Sequence, residues 1–238
     1  MKKDDKNTPI LKSSLSTLLK RFSKVDVVSN IEKEYAESVS NQIKLSLIDD
    51  NHIIKNVRIN EQQVESALEV IKEKGLSSPL FVVQAGERYE IVLPRISYIA
   101  SRKLDLEYVP IALLNVNEEE TLMMMASYLR DNKNSSIVEM SFILNCLSKK
   151  YNYSQKEIAS LMNLSRSQIT NIMRLQKLDQ WILNDIANDK LSFGHVRAIS
   201  TLNKTEMEEI IKLIYEKHLS VRDVEKIVYA TPSYCHLC

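Results

Sequence analysis

The chain has 238 residues, enough for about two small domains. Its 32 basic and 31 acidic residues leave a net charge of +1, which excludes a polycation that coats nucleic acid by bulk attraction; any phosphate affinity has to come from local clustering. With 44% hydrophobic residues, few Gly or Pro and no apolar run near the roughly 20 residues that span a bilayer, it reads as a helix-rich globular chain, with no signal peptide expected.

Residues 1–45 form a first segment, basic, Ser-rich and weakly patterned. Within it Ile10, Leu11, Leu15, Leu18, Leu19 and Phe22 fall on one face of an amphipathic helix. Three readings stay open here: a partly disordered tail with a nascent helix, a docking peptide for a partner protein, or a membrane-surface anchor. Residues 46–130 are mixed. Val64, Leu68 and Ile71 set a helical stripe that Gly75 stops, and Pro79 leads into the β-rich run Leu80-Phe81-Val82-Val83. Gly86-Glu87 makes a hairpin turn, Tyr89 to Leu93 returns as a strand, Ser97 to Lys103 is helical, and Tyr108 to Leu114 is a further strand. From Glu118 the pattern is helical almost to the end. The expected fold class is therefore an α+β N-terminal domain followed by an all-α domain over residues 131–230, with a short tail over 231–238.

The all-α part holds the most informative stretch, Tyr153 to Arg174. Ser154 caps a helix whose stripe is Gln155, Ile158, Ala159 and Met162, and Asn163-Leu164-Ser165 interrupts it for a sharp turn. In the second helix Ile169, Ile172, Met173 and Leu175 point inward. Arg166, Ser167, Gln168, Thr170 and Asn171 remain on the open face, where guanidinium, hydroxyl and amide groups reach base edges and phosphates. The same pattern describes an ordinary helical hairpin with a solvated polar face. The lack of any carboxylate on that face favours DNA, as does the cluster Lys149, Lys150, Lys156, Arg166, Arg174 and Lys177 around it, with Glu157 and Asp179 as the nearby acids. Further on, Ser192 is a good N-cap for a helix carrying His195 and Arg197, an arrangement that holds a phosphate; a core imidazole is the alternative for His195.

Metal and disulfide chemistry find no support. His52, His195, His218 and His236 are scattered, Cys146 sits in an apolar helical pattern, and the Cys235/Cys238 pair lacks further ligands. Sparse cysteine makes the cytoplasm the expected compartment.

In this order the pieces resemble the ParB/Noc family of bacterial chromosome- and plasmid-partition proteins, from about Val57 to Val228. The matching segments are Val57-Arg58-Ile59, Gly75-Leu76-Ser77-Ser78-Pro79 running on to Val83, Tyr89-Glu90-Ile91-Val92, Leu104-Asp105-Leu106 and Val109-Pro110-Ile111. Behind the helix-turn-helix follow Leu175-Gln176-Lys177-Leu178 and Leu191-Ser192-Phe193-Gly194-His195-Val196-Arg197-Ala198, whose Gly-His-x-Arg is the most specific match. The resemblance implies a ParB-like N-terminal fold and a helix-turn-helix DNA-binding domain with its motif at residues 154–175. It implies sequence-specific binding of an inverted-repeat, centromere-like site in double-stranded DNA, by two copies in successive major grooves. Arg166, Ser167, Gln168, Thr170 and Asn171 would read bases, and Lys149, Lys156, Arg174, His195 and Arg197 would hold phosphates. A ParA-type ATPase is the implied partner of the N-terminal segment, with Lys20 and Arg21 the candidate contacts, and the implied place is the nucleoid or a plasmid rather than a membrane.

The family also implies CTP with Mg2+. Gly75, Ser77, Ser78, Pro79, Arg95 and Arg130 are the positions of this chain that would serve it. The family's Gly-Glu-Arg-Arg phosphate box is replaced here by Leu93-Pro94-Arg95-Ile96-Ser97, in which Pro94 removes an N–H donor, and its Glu-Asn-x-Gln-Arg segment by Ser127-Tyr128-Leu129-Arg130-Asp131. CTP hydrolysis is accordingly expected to be absent, and so is the family's C-terminal dimerisation domain. Against the partition role stand a transcriptional or replication regulator that binds an operator without clamp loading, a working CTPase clamp with an unusual pocket, and a protein whose helix-turn-helix has become a docking surface.

Overall fold

The computed structural model describes residues 41–132 and 135–230. The amphipathic segment from Ile10 to Phe22, Lys20 and Arg21, and the tail with Cys235 and Cys238 lie outside the described residues. The chain divides into two compact units, Met1–Gln176 and Lys177–Cys238, and the helix-turn-helix falls in the first together with the sheet.

The first unit opens with five strands: β1 Asn41–Lys44, β2 Ile48–Asp49, β3 Leu80–Ala85, β4 Arg88–Leu93 and β5 Tyr108–Leu113, in the order β1-β5-β3-β4-β2. The β3–β4 pair is a hairpin in register Ala85↔Arg88, turned by Gly86 with φ +65° and Glu87; glycine at the first turn position accepts a φ that side chains avoid. β5 runs parallel to β3, which requires a crossover; helix α2, Arg95–Lys103, supplies it. Asn41–Lys44, read from sequence as tail, instead pairs antiparallel with β5, Ile43 opposite Val109. β2 lies parallel to β4. Neither short strand has enough residues to show a two-residue period, so neither was legible.

Leu80, Val82, Ile91, Val109 and Ile111 form one buried face with Leu45, Ile48 and Tyr98. Phe81, Val92 and Leu93 are buried as well, so the central strands are covered on both faces and read as apolar runs. Helix α1, Glu61–Lys74, packs on α2 through Val64, Ile71 and Ala100. Asn60 caps α1 by accepting from the N–H groups of Gln62 and Gln63, and Gly75 ends it at φ +72°.

Four helices complete this unit: α3 Glu118–Asp131, α4 Ile137–Tyr151, α5 Gln155–Met162 and α6 Arg166–Arg174. α3 lies against β4 and carries the buried run Leu122 to Ala126. The start of α3 is tied to α4 and the residues after it: Tyr153 donates from its hydroxyl to Glu119 at 2.6 Å, and Tyr151 and Lys150 donate to Glu118. Burial first, and then the carboxylate neighbours, push both tyrosine hydroxyls far above the ordinary range, so they stay protonated donors.

The second unit is all helical: α7 Gln180–Ala187, α8 Phe193–Ile199, α9 Lys204–Lys217 and α10 Val221–Ala230. α8 packs on α10 at Gly194, where an added Cβ would sit 2.9 Å from Val221 Cγ2. The glycine is there for close helix approach, not for an unusual φ. Among the described residues no helix is long and apolar enough to cross a membrane.

Candidate nucleic-acid interface

The α5–α6 pair is a capped helix-turn-helix. Ser154 and Glu157 form a reciprocal capping box, 3.2 Å from the Glu157 N–H to Ser154 Oγ and 2.8 Å from the Ser154 N–H to Glu157 Oε2. Asn163 ends α5 in the left-handed region at φ +49°, and the Leu164 N–H returns to the Ala159 carbonyl at 3.0 Å. Asn tolerates that conformation better than most residues, and it lets the chain turn sharply enough for Ser165 to cap α6. Ile158, Leu161, Met162, Ile169, Ile172 and Leu175 are buried between these helices and α4. Asn145 of α4 donates to the Met173 carbonyl at 2.9 Å, and Lys149 to Gln176 Oε1 at 3.2 Å, so α4 braces the end of α6.

On the open side of α6, Arg166, Ser167, Gln168 and Arg174 are exposed and Asn171 is half-buried; Lys156 of α5 and Lys149 of α4 are exposed too. Two residues read as base contacts have local partners. Gln168 Oε1 accepts from the Ser165 N–H at 2.8 Å while Ser165 Oγ accepts from the Gln168 N–H at 3.1 Å, a second capping box, which leaves its amide NH2 as the outward group. Thr170 Oγ1 lies 2.8 Å from Gln155 Oε1 and 2.9 Å from the Arg166 carbonyl. Its hydroxyl is therefore spent on the seam between α5 and α6, and Thr170 is repositioned as a brace of the pair. The Ser-x-x-Gln spacing held the signal for Gln168; the Gln155–Thr170 bond needed the fold.

His195 and Arg197 lie on α8 in the second unit. Ser192 caps that helix, accepting from the His195 N–H at 3.2 Å, with its Oγ 3.0 Å from His195 Nδ1; His195 Nε2 is buried without a partner. If Ser192 donates its hydroxyl hydrogen to Nδ1, Nε2 carries the ring proton and is a donor. Arg197 is 53% exposed and 3.2 Å from Glu225 of α10, a surface pair that is weak enough to be exchanged for a phosphate.

The positions assigned to CTP do not all line one cleft. Gly75, Ser77 and Ser78 line one cleft of about 260 Å3 with Ser66, Ser97, Ala67, Val70, Ile71 and Leu76, and none of these residues carries charge. Arg95 opens α2 but turns inward, 7% exposed. Its Nε and Nη2 donate to Asp50 at 2.8 and 2.7 Å, and its Nη1 donates to Glu139 and to the Val57 carbonyl. Arg130 makes a two-pronged pair with its neighbour Asp131, at 2.6 and 2.8 Å. α2 has no capping side chain at Pro94, so its first N–H groups contribute roughly half a positive charge, little against a triphosphate. The residues present do not fit that anion. Among the described residues, no cluster of three or more His, Cys, Asp or Glu is placed to hold a metal.

Two family models together match residues 28–233 of the chain. A family model described as the ParB N-terminal domain covers residues 28–132, and one described as the ParB HTH domain covers residues 133–233. The chain is 28% identical over 193 residues to a probable chromosome-partitioning protein ParB of Borreliella burgdorferi, covering 81% of this chain and 74% of that protein. It is 26% identical over 171 residues to the probable ParB of Coxiella burnetii, covering 72% of this chain and 59% of the relative. Among solved structures, the C-terminally truncated ParB from Caulobacter crescentus complexed to the centromeric parS site aligns at 21% identity with a TM-score of 0.47, over 81% of this chain and 100% of that one.

Proposed function

The chain belongs to the ParB family, its two matched domains running from residue 28 to residue 233, and from that premise we infer that it is a sequence-specific DNA-binding protein of chromosome or plasmid partition. The observation that carries this reading is the outer face of α6, where Arg166, Ser167, Gln168, Asn171 and Arg174 stand clear of any acidic residue on that helix, behind a turn built by the left-handed Asn163 and the Ser165–Gln168 capping box. A helix so presented enters the major groove with its N-terminal residues at base edges.

Arg166, Ser167, the Gln168 amide and Asn171 read bases in this account. Lys149, Lys156 and Arg174 hold phosphates beside them, and Arg197 holds a further phosphate from the second unit, whereas His195, its Nδ1 on Ser192 and its Nε2 buried, fits the core-imidazole alternative. Two copies on an inverted repeat place their α6 helices about 34–36 Å apart along the duplex. The protein acts at the nucleoid or on a plasmid, in the cytoplasm, and a ParA-type ATPase engages its N-terminal segment, with Lys20 and Arg21 as contacts.

Fluorescence anisotropy on a DNA fragment recovered from the bound sites, against a scrambled fragment, tests the reading. Wild type prefers the former and Arg166→Ala loses that preference. Equal affinity of Arg166→Ala and wild type for the recovered fragment contradicts the assignment of α6 as the reading helix.

A further inference from the structure

We propose that the N-terminal part of this chain is fastened by its own ion-pair network, Asp50–Arg95–Glu139, and takes up no nucleoside triphosphate. Three elements meet in that network: the residue after β2, the first residue of α2, and the first turn of α4. Every N–H of the Arg95 guanidinium faces a protein acceptor, since Nη2 also approaches the Lys55 carbonyl at 3.4 Å. Nothing is left to donate to a phosphate. An incoming anion would have to displace two carboxylates from one cation in a site where both Arg95 and Glu139 are 7% exposed, which exchanges a paired charge for buried unpaired ones.

The cleft at Gly75, Ser77, Ser78 and Ser97 supplies the second observation. It offers hydroxyls and the uncapped end of α2, with no lysine or arginine among its lining residues, and so suits at most a small polar group. Arg95 thus holds the sheet to the helical half of its unit, a connection that needs no ligand. None of these residues contacts DNA in the proposed function, so the network stands or falls independently of the α6 reading.

The test uses the full chain, with CTP, UTP, ATP or GTP and Mg2+ as probes in thermal unfolding and titration calorimetry. The expected result is a midpoint unmoved within about 1 °C and no saturable heat. A ligand present at about one hundred times its Kd would raise the midpoint by roughly 5–10 °C, and such a rise with any of the four overturns the proposal. The fastening is tested by Arg95→Met and Glu139→Gln. Arg95→Met is expected to lower the midpoint by on the order of 10 °C and to expose residues 50–60 to protease, while Glu139→Gln changes it far less. A midpoint for Arg95→Met within about 1 °C of wild type would show that the network fastens nothing.

Discussion

Arg166 and Thr170 sit one turn apart on α6, and the structure gives them opposite work. Arg166 is exposed, and removing it should cost about 1–3 kcal/mol of specific binding with little change in fold, seen as loss of discrimination in anisotropy rather than of thermal midpoint. Thr170 spends its hydroxyl on Gln155, so Thr170→Val should cost roughly 1 kcal/mol of stability and leave base preference unchanged. A sequence face tells which polar groups point outward. It does not tell which of them already have a partner one helix away, as Thr170 has in Gln155. Nor does it show that Arg95 turns inward, since its two carboxylate acceptors lie 45 positions before it and 44 after it.

At the scale of elements, caps and stops were legible because they act locally. Ser154, Asn163, Ser165, Ser192 and Gly75 mark helix ends through bonds to residues within a turn, and each helix they bound stands in the structure. The helix expected from Ser97 begins instead at Arg95, as Pro94 can stand before a first turn without losing a needed N–H. The most specific sequence match, Gly-His-x-Arg, has a packing cause for its glycine. Gly194→Ala should cost about 1–3 kcal/mol, because a β-branched Val221 cannot swing its methyls away from a Cβ at 2.9 Å. Chemical denaturation should show that loss, and a Gly194→Ala/Val221→Ala double variant should recover part of it; equal instability of the two would mean that the contact is not the cause.

The whole first unit depends on charge placed deep between its sheet and its helices. Burial first, and then the charge of Asp50, raise the Glu139 carboxyl above its ordinary value near 4.5, against the pull of Arg95; two carboxylates share one guanidinium. Between about 4.5 and the raised folded value the folded state holds a proton that the unfolded chain has released, so this contribution to stability is full below about 4.5 and is lost as pH rises through the folded value, above which Glu139 is the carboxylate paired with Arg95. Glu139→Gln should flatten that part of the stability profile, measured by urea unfolding at a series of pH values. Arg95→Met leaves both carboxylates without a counterion and should cost about 3–5 kcal/mol at neutral pH.

The central claim is that α6 reads DNA at defined sites, and crosslinking the protein in its own cells and sequencing the bound DNA tests it most directly. One or a few peaks centred on inverted repeats are expected, lost in the Arg166→Ala strain, and kept narrow if no nucleotide drives loading along the duplex. A map without peaks, or peaks that Arg166→Ala leaves intact, would contradict it.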